Sequence, residues 1–224
     1  LPLTGRSITV RDVRDATVNA GVVVSTTGAG TISMAADRNI LMHAGAIVQT
    51  VSGGITLQAD AAGGAITMAD GARLLGGSGT VQLLADGDIA LAHVQTSGLA
   101  RITTDHGAIT DNGDTHPDLV AGSAVLRAAT GIGSGAGNQL DTQVSNLAFL
   151  NSGSGDVHVF NTGPLTITTV DGQTESKNDG SGVVVLGAAG PVTFAHNTTS
   201  VGDLTAQAVE TAARYTKNRL FYEG

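Results

Sequence analysis

A short alternating phrase returns along this chain with a nearly fixed step, and that return constrains the fold more than any other feature. Ile8, Ile32, Ile55, Val81, Ile102 and Val125 each open such a phrase, at successive steps of 24, 23, 26, 21 and 23 residues. A second phrase follows inside each step, opening at Ala16, Ile40, Ile66, Ile89 and Ile109. A third apolar patch comes after it, at Val22, Ile47, Leu74, Val94 and Leu119. Alternation with period two is the pattern of a strand with one buried face. Between the phrases stand Gly, Asp and Asn, with pairs such as Gly53 and Gly54 or Gly63 and Gly64 where the chain must turn tightly. One unit of about 23 residues thus holds three short strands.

A single three-strand unit cannot bury its own inward face. Stacked on a copy of itself, each strand pairs in parallel with its equivalents, and the inward Ile, Val, Leu and Ala become continuous columns. An antiparallel sandwich also spaces strands at 8–12 residues, but gives no reason for a triple pattern to return at about 23. The predicted fold is therefore all-β, a parallel β-helix of three short strands per coil, filling residues 1–202. Ile8, Ile32, Ile55, Val81 and Ile102 are expected to share one inward column. Composition agrees with a narrow interior: 32 Gly, 3% aromatic residues and a mean hydropathy of +0.17. Four Pro and no Gly at every third position exclude collagen, and the abundance of Gly and β-branched residues disfavours a helical bundle.

The ladder loosens after about residue 125. Phrases still open at Val157, Leu165, Val183 and Val192, but the polar, Gly-rich stretch 171–182 predicts a loop protruding from a corner. From Asp203 the composition shifts. Leu204, Ala208, Val209, Ala212 and Tyr215 fall at helical spacing, with Asp203 as N-cap, so a helix over 203–217 is expected. Residues 203–224 would then form a capping helix and tail over the last coil's edge.

The net charge of −8, with Lys177 and Lys217 the only lysines, excludes a nucleic-acid groove. There is no apolar run of 18 residues and no Cys, so neither a membrane-spanning helix nor thiol chemistry is available. Residues 1–5 read LPLTG, the pattern of a sortase signal, but Arg6 and Ser7 follow where such a signal continues into an apolar stretch.

Chemistry must be sought on the outside of the rod. Asp105, His106, Asp111, Asp114 and His116 form the densest polar cluster. Two or more carboxylates with two imidazoles suit a metal or acid–base work on a glycan. The same residues suit a turn. The metal candidates are Asp111, Asp114 and His116, joined by Asp156, because residues 153–157 match half of a calcium-binding nonapeptide once. No catalytic or cofactor-binding residue is assigned. Glutamates are only Glu175, Glu210 and Glu223, poor equipment for cleaving glycans. His43, His93, His158 and His196 read as outward strand residues. The recurring Thr9, Thr56, Thr67, Thr103, Thr166 and Thr193 read as same-face ladders.

Residues 146–172, preceded by 131–135 and 140–144, resemble the repeat regions of the filamentous-haemagglutinin-like giant exoproteins of bacteria, and the earlier phrases at Ile55 and Ala65 look like the same family. The resemblance implies a right-handed β-helix, secretion or cell-surface display, and adhesion, biofilm or fibre formation. The NPNG-type motif of that family's secretion domain is absent from this sequence. The expected function is a non-enzymatic structural or adhesive segment of a surface fibre or stalk, without a cofactor. Its expected partners are its own kind end to end, with residues 1–10 at the junction, or the rest of a longer chain, and a cell-surface glycan. The alternative is a carbohydrate-binding or carbohydrate-cleaving β-helix of the lyase or tailspike kind. Acids and imidazoles from neighbouring coils converging in one groove would favour that alternative.

Overall fold

The computed structural model describes residues 3–113, 116–133 and 138–208. They form an all-β solenoid of about 8 turns, roughly 23 residues per coil, with parallel pairing from coil to coil and no helix.

Three faces recur. Face one is built from Ile8–Asp12, Ile32–Ala36, Ile55–Ala59, Val81–Ala85 and Leu99–Thr104. Face two holds Ala16–Val18, Ile40–Met42, Ile66–Met68, Ile89–Leu91 and Ile109–Asp111. Face three holds Leu3–Gly5, Val23–Thr26, Ile47–Gln49, Arg73–Leu75 and His93–Gln95. Each strand alternates buried and less buried positions, as in Ile55–Ala59, so every second side chain enters the core. Residues 3–5 pair in parallel with Val24, Ser25 and Thr26, which makes the LPLTG segment part of a rung.

The register of face one joins Ile8 to Ile32, Ile55, Val81, Ala100, Ala124 and Leu147, in steps of 24, 23, 26, 19, 24 and 23 residues. The expected column therefore holds from Ile8 to Val81 and fails at Ile102. Ile102 pairs with Leu83, in the neighbouring inward column that runs through Met34, Leu57, Leu126 and Phe149. The slip is two residues, so Ile102 keeps its face and stays fully buried. Val125 departs more. It stands opposite Arg101, on the outer side of the sheet.

The corners are held by recurring small devices. Where face three turns into face one, inward threonines satisfy turn carbonyls: Thr26 Oγ1 donates to Gly30 O at 2.7 Å, Thr50 to Gly53 O at 2.6 Å, and Thr96 to Gly79 O at 2.5 Å. Successive coils touch there. A Cβ on Gly53 would lie 2.0 Å from Gly30 O, and one on Gly79 2.0 Å from Gly53 O, so glycine is required for backbones to stack.

The cross-section changes in the second half. Leu119–Ala128 and Leu140–Asn151 run as single strands through the corner between faces three and one. Val157–Asn161 then joins faces two and three: Val157 bridges Ile132, while Val159 to Asn161 pair with Leu140 to Thr142. The lower part of face one splits between Leu165–Ile167, which pairs with Asn146 and Leu147, and Ser176–Asn178, which pairs with Leu150 and Asn151. Inside the corner that follows, alanine gives way to stacked amides: Asn151 Nδ2 donates to Asn178 Oδ1 at 2.8 Å, and Asn178 Nδ2 to Gly182 O at 3.0 Å. Both residues are buried, so these bonds replace water.

Two expectations are corrected here. The stretch 171–182 is not a protruding loop throughout. Ser176–Asn178 is a rung with Ser176 and Asn178 buried, because the preceding coil satisfies both: Ser176 Oγ accepts the Phe149 N–H at 3.2 Å and Asn178 Oδ1 accepts from Asn151 Nδ2. Residues 170–175 do leave the coil, but they fold back onto it. Gln173 N–H donates to Val170 O at 2.9 Å around Asp171 and Gly172, whose φ values are 51° and 76°. Two central residues with positive φ define the tight hairpin turn that Asp-Gly pairs favour. This hairpin lies on the outer side of face one. Val170 packs with Val125, Ala148 and Leu99, which explains why the outward Val125 and Ala148 are fully buried. Asp171 holds the Arg101 guanidinium through Nε at 2.5 Å and Nη2 at 2.6 Å, and Arg127 Nε donates to Gln173 Oε1 at 3.0 Å.

The helix expected from Asp203 does not begin there. Leu204–Ala208 is a strand in parallel register with Val184 to Ala188. Leu204, Ala206 and Ala208 satisfy a period of two as well as Leu204 and Ala208 satisfy a helical one, and the waiting edge of Val184–Ala188 decides between them. The remainder of the expected helix, 209–217, and the tail to 224 lie outside the described residues.

Candidate functional site

The polar cluster read from 105–116 is divided between two corners. Asp105 and His106 lie where face one turns into face two. There Asp60, Asp86 and Asp105 line a groove of about 180 Å³, and the His106 Nδ1 contacts Asp86 Oδ1 at 2.7 Å. Asp86 also accepts the Gly63 N–H at 2.6 Å, and these two bonds hold its carboxyl below the usual range, the backbone bond most. Asp86 and His106 thus serve a turn.

Asp111 lies at the other end of face two. It stands in register with Leu91, so a carboxylate takes the next place in an inward column. It is almost fully buried, and its Oδ1 accepts the Gly113 N–H at 2.7 Å. Asp114 lies outside the described residues. His116 is exposed and lines a concavity with Gly71, Arg73 and His93. Asp156 is elsewhere, at the start of the strand two coils further on. Its Oδ1 accepts the Val183 N–H at 2.9 Å and its Oδ2 is 3.9 Å from His158 Nε2. The structure therefore does not bring Asp156 to Asp111 and His116. Among the described residues no three His, Asp or Glu are placed to hold a metal ion.

Sequence reasoning missed the residue that does converge with Asp111. Asp118, directly after Pro117, is fully buried. Its backbone N–H donates to Asp141 O at 2.8 Å, and its Oδ2 accepts the Asp141 N–H at 2.7 Å. Its Oδ1 receives no hydrogen bond among the described residues. Burial, with the neighbouring charges of Asp111 and Asp141 adding to it, pushes the Asp118 carboxyl up to about 9, against the pull of the Asp141 N–H. At neutral pH it is a neutral acid. A proline followed by one aspartate looks like a turn in sequence. Only the closing of one coil and its stacking on the next bring Asp118 to two other acids.

Three carboxylates thus meet at one place, Asp111 and Asp118 from one coil and Asp141 from the next, but Asp118 is sealed from solvent and carries a proton. No polymer can touch it. A second groove, of about 420 Å³, runs along the straightened corner between faces three and one, lined by uncharged groups that include Gln95, Ser97, Gln143, Ser145 and Thr162. It contains no acid or base. The threonine ladders are partial: Thr166 pairs with Thr193, while Thr9, Ser33, Thr56 and Gln82 share one rank.

Compared with protein-family models, with curated proteins and with solved structures, the chain matches none of them.

Proposed function

We propose that this chain is a non-enzymatic structural or adhesive segment of an exported bacterial surface fibre, stalk or biofilm adhesin, of the kind that the filamentous-haemagglutinin-like repeats suggest. The observation that carries this reading is the parallel ladder of about 8 turns, in which, among the described residues, His106 is held by a turn aspartate and Asp111 is buried. Such a ladder transmits force along its axis through backbone hydrogen bonds in every rung. A solenoid's terminal rungs present strand edges, and on this reading they pair with more of the same chain or with another copy. Joined head to tail, copies do not close, so they extend. Surface glycans are the ligand class on this reading, met by exposed turns and uncharged grooves rather than by a catalytic cleft.

The test is in two parts. Antibody labelling of intact and broken cells of the producing bacterium locates the protein, and label on intact cells or in the medium supports the reading. Incubating the purified chain with a panel of bacterial and host polysaccharides and measuring new reducing ends or unsaturated products asks about catalysis. Label confined to broken cells, or steady product release, would overturn it.

A further inference from the structure

A concavity of about 310 Å³ on the outer side of face three is lined by Gly71, Arg73, His93 and His116. Arg73 and His93 are register partners on adjacent parallel strands, so their side chains rise about 4.8 Å apart from the same surface. Leu74 and Val94, their sequence neighbours, point inward, which fixes Arg73 and His93 outward. Gly71 sits in the preceding turn at φ 78°, where it brings no side chain into the space.

His93 is oriented. Its Nδ1 lies 2.8 Å from Pro117 O, and a carbonyl only accepts, so Nδ1 carries the hydrogen. Its Nε2 lies 3.5 Å from Gln95 Oε1. The Nδ1 contact ties down the residue after His116, which brings the second imidazole to the rim. Arg73 forms no ion pair among the described residues, not even with nearby Asp70. Elsewhere Arg38 is held by Asp15, Arg101 by Asp171 and Lys177 by Glu175. Among the described residues Arg6, Arg11 and Arg14 also lack an ion pair, but Arg73 is the one that lies beside two imidazoles in a concave place.

We propose that this concavity binds a small oxyanion, a carboxylate or a sulfate. Arg73 supplies a planar fork that matches two oxygens of either group. His93, when it carries a hydrogen on Nε2 as well, donates from the side, and His116 adds a second imidazole at the rim. The site is separate from the structural reading above and does not depend on it.

The experiment is a histidine-selective NMR titration of residues 1–224 at pH 6.0 and constant ionic strength. Sodium sulfate and sodium glucuronate are the two probes, and sodium chloride is the control. The ring signals of His93 and His116 should move and saturate while those of His43, His106, His158 and His196 stay still. Arg73→Gln should weaken the binding at least tenfold, with the untouched backbone spectrum showing that the variant is folded. Tighter binding of glucuronate assigns the site to organic carboxylates, and tighter binding of sulfate assigns it to sulfate. Linear drift of all six histidines alike, absence of any shift up to 100 mM probe, or unchanged affinity in Arg73→Gln overturns the proposal.

Discussion

Asp118→Asn should make this protein more stable at neutral pH, although it removes a charge-bearing group from a hydrogen-bonded position. In the folded chain the Asp118 carboxyl is pushed from its ordinary 3.8 up to about 9. Between those two values the folded state keeps a proton that the unfolded state has released. Stability must therefore fall as pH rises from about 4 to about 9, by about 1.4 kcal/mol per pH unit, and be level on either side. At pH 7 the accumulated cost is about 4 kcal/mol. An asparagine has the same shape and is neutral at every pH. Its Oδ1 keeps the Asp141 N–H, and its amide replaces the acid hydrogen beside Asp111. The substitution should therefore recover about 2–4 kcal/mol at pH 7 and almost nothing at pH 4. Urea unfolding followed by far-ultraviolet circular dichroism at each pH unit from 4 to 9 reads both curves. A variant that is less stable than the parent at pH 8, or whose gain does not change with pH, would refute the buried neutral acid.

Three further outcomes follow from the geometry. Asp171→Asn keeps the left-handed turn but removes the charge that grips Arg101, so the 170–175 hairpin should exchange its amides faster, with a loss of about 1 kcal/mol, while the rungs beneath keep their protection. Because Asp171 is held below the usual carboxylate range, chiefly by its Arg101 hydrogen bond, the parent's clasp should also loosen in acid, as pH drops through its folded pKa below 3.8. Asn178→Ala strips partners from the buried Asn151 amide and the Gly182 carbonyl and should cost about 2–4 kcal/mol in the unfolding midpoint, most visibly in rungs 140–200. Ile55→Asp buries a charge between Ile32 and Val81 and should cost about 4 kcal/mol or more, whereas Thr56→Asp on the outer side of the same strand should change stability by less than about 1 kcal/mol.

The solenoid was legible in the sequence because its inward residues repeat at a spacing that only stacking explains. The exact register was not. A slip of two residues leaves every side chain on its own face, so Val81 with Ala100 and Val81 with Ile102 look equally good until the short 19-residue coil is seen. Leu204 to Ala208 fit two periods at once, and the edge of the preceding rung made the choice. Val125 reads as core in sequence, and it is buried, but by the hairpin on the outside rather than by the interior. The Asp171 and Gly172 pair carried the turn signal for that hairpin; its landing place on Arg101, 70 residues earlier, depends on coil height and had no local trace. Of the chemistry, the polar corner around Asp111 was legible, whereas Asp118 joined it only as the coil closed and Asp141 only through stacking. Arg73, His93 and His116 came together in the same way, from three coils whose sequences share no motif.

The structural account is tested most directly by the size and shape of the full chain in solution. Sedimentation velocity and negative-stain images of residues 1–224, recorded across a hundredfold range of concentration, report both. The account predicts rods that lengthen in whole multiples of the single solenoid as concentration rises, with constant width and with no product from any polysaccharide present. A compact monomer of unchanging mass at every concentration, releasing sugar fragments from a glycan, would contradict it.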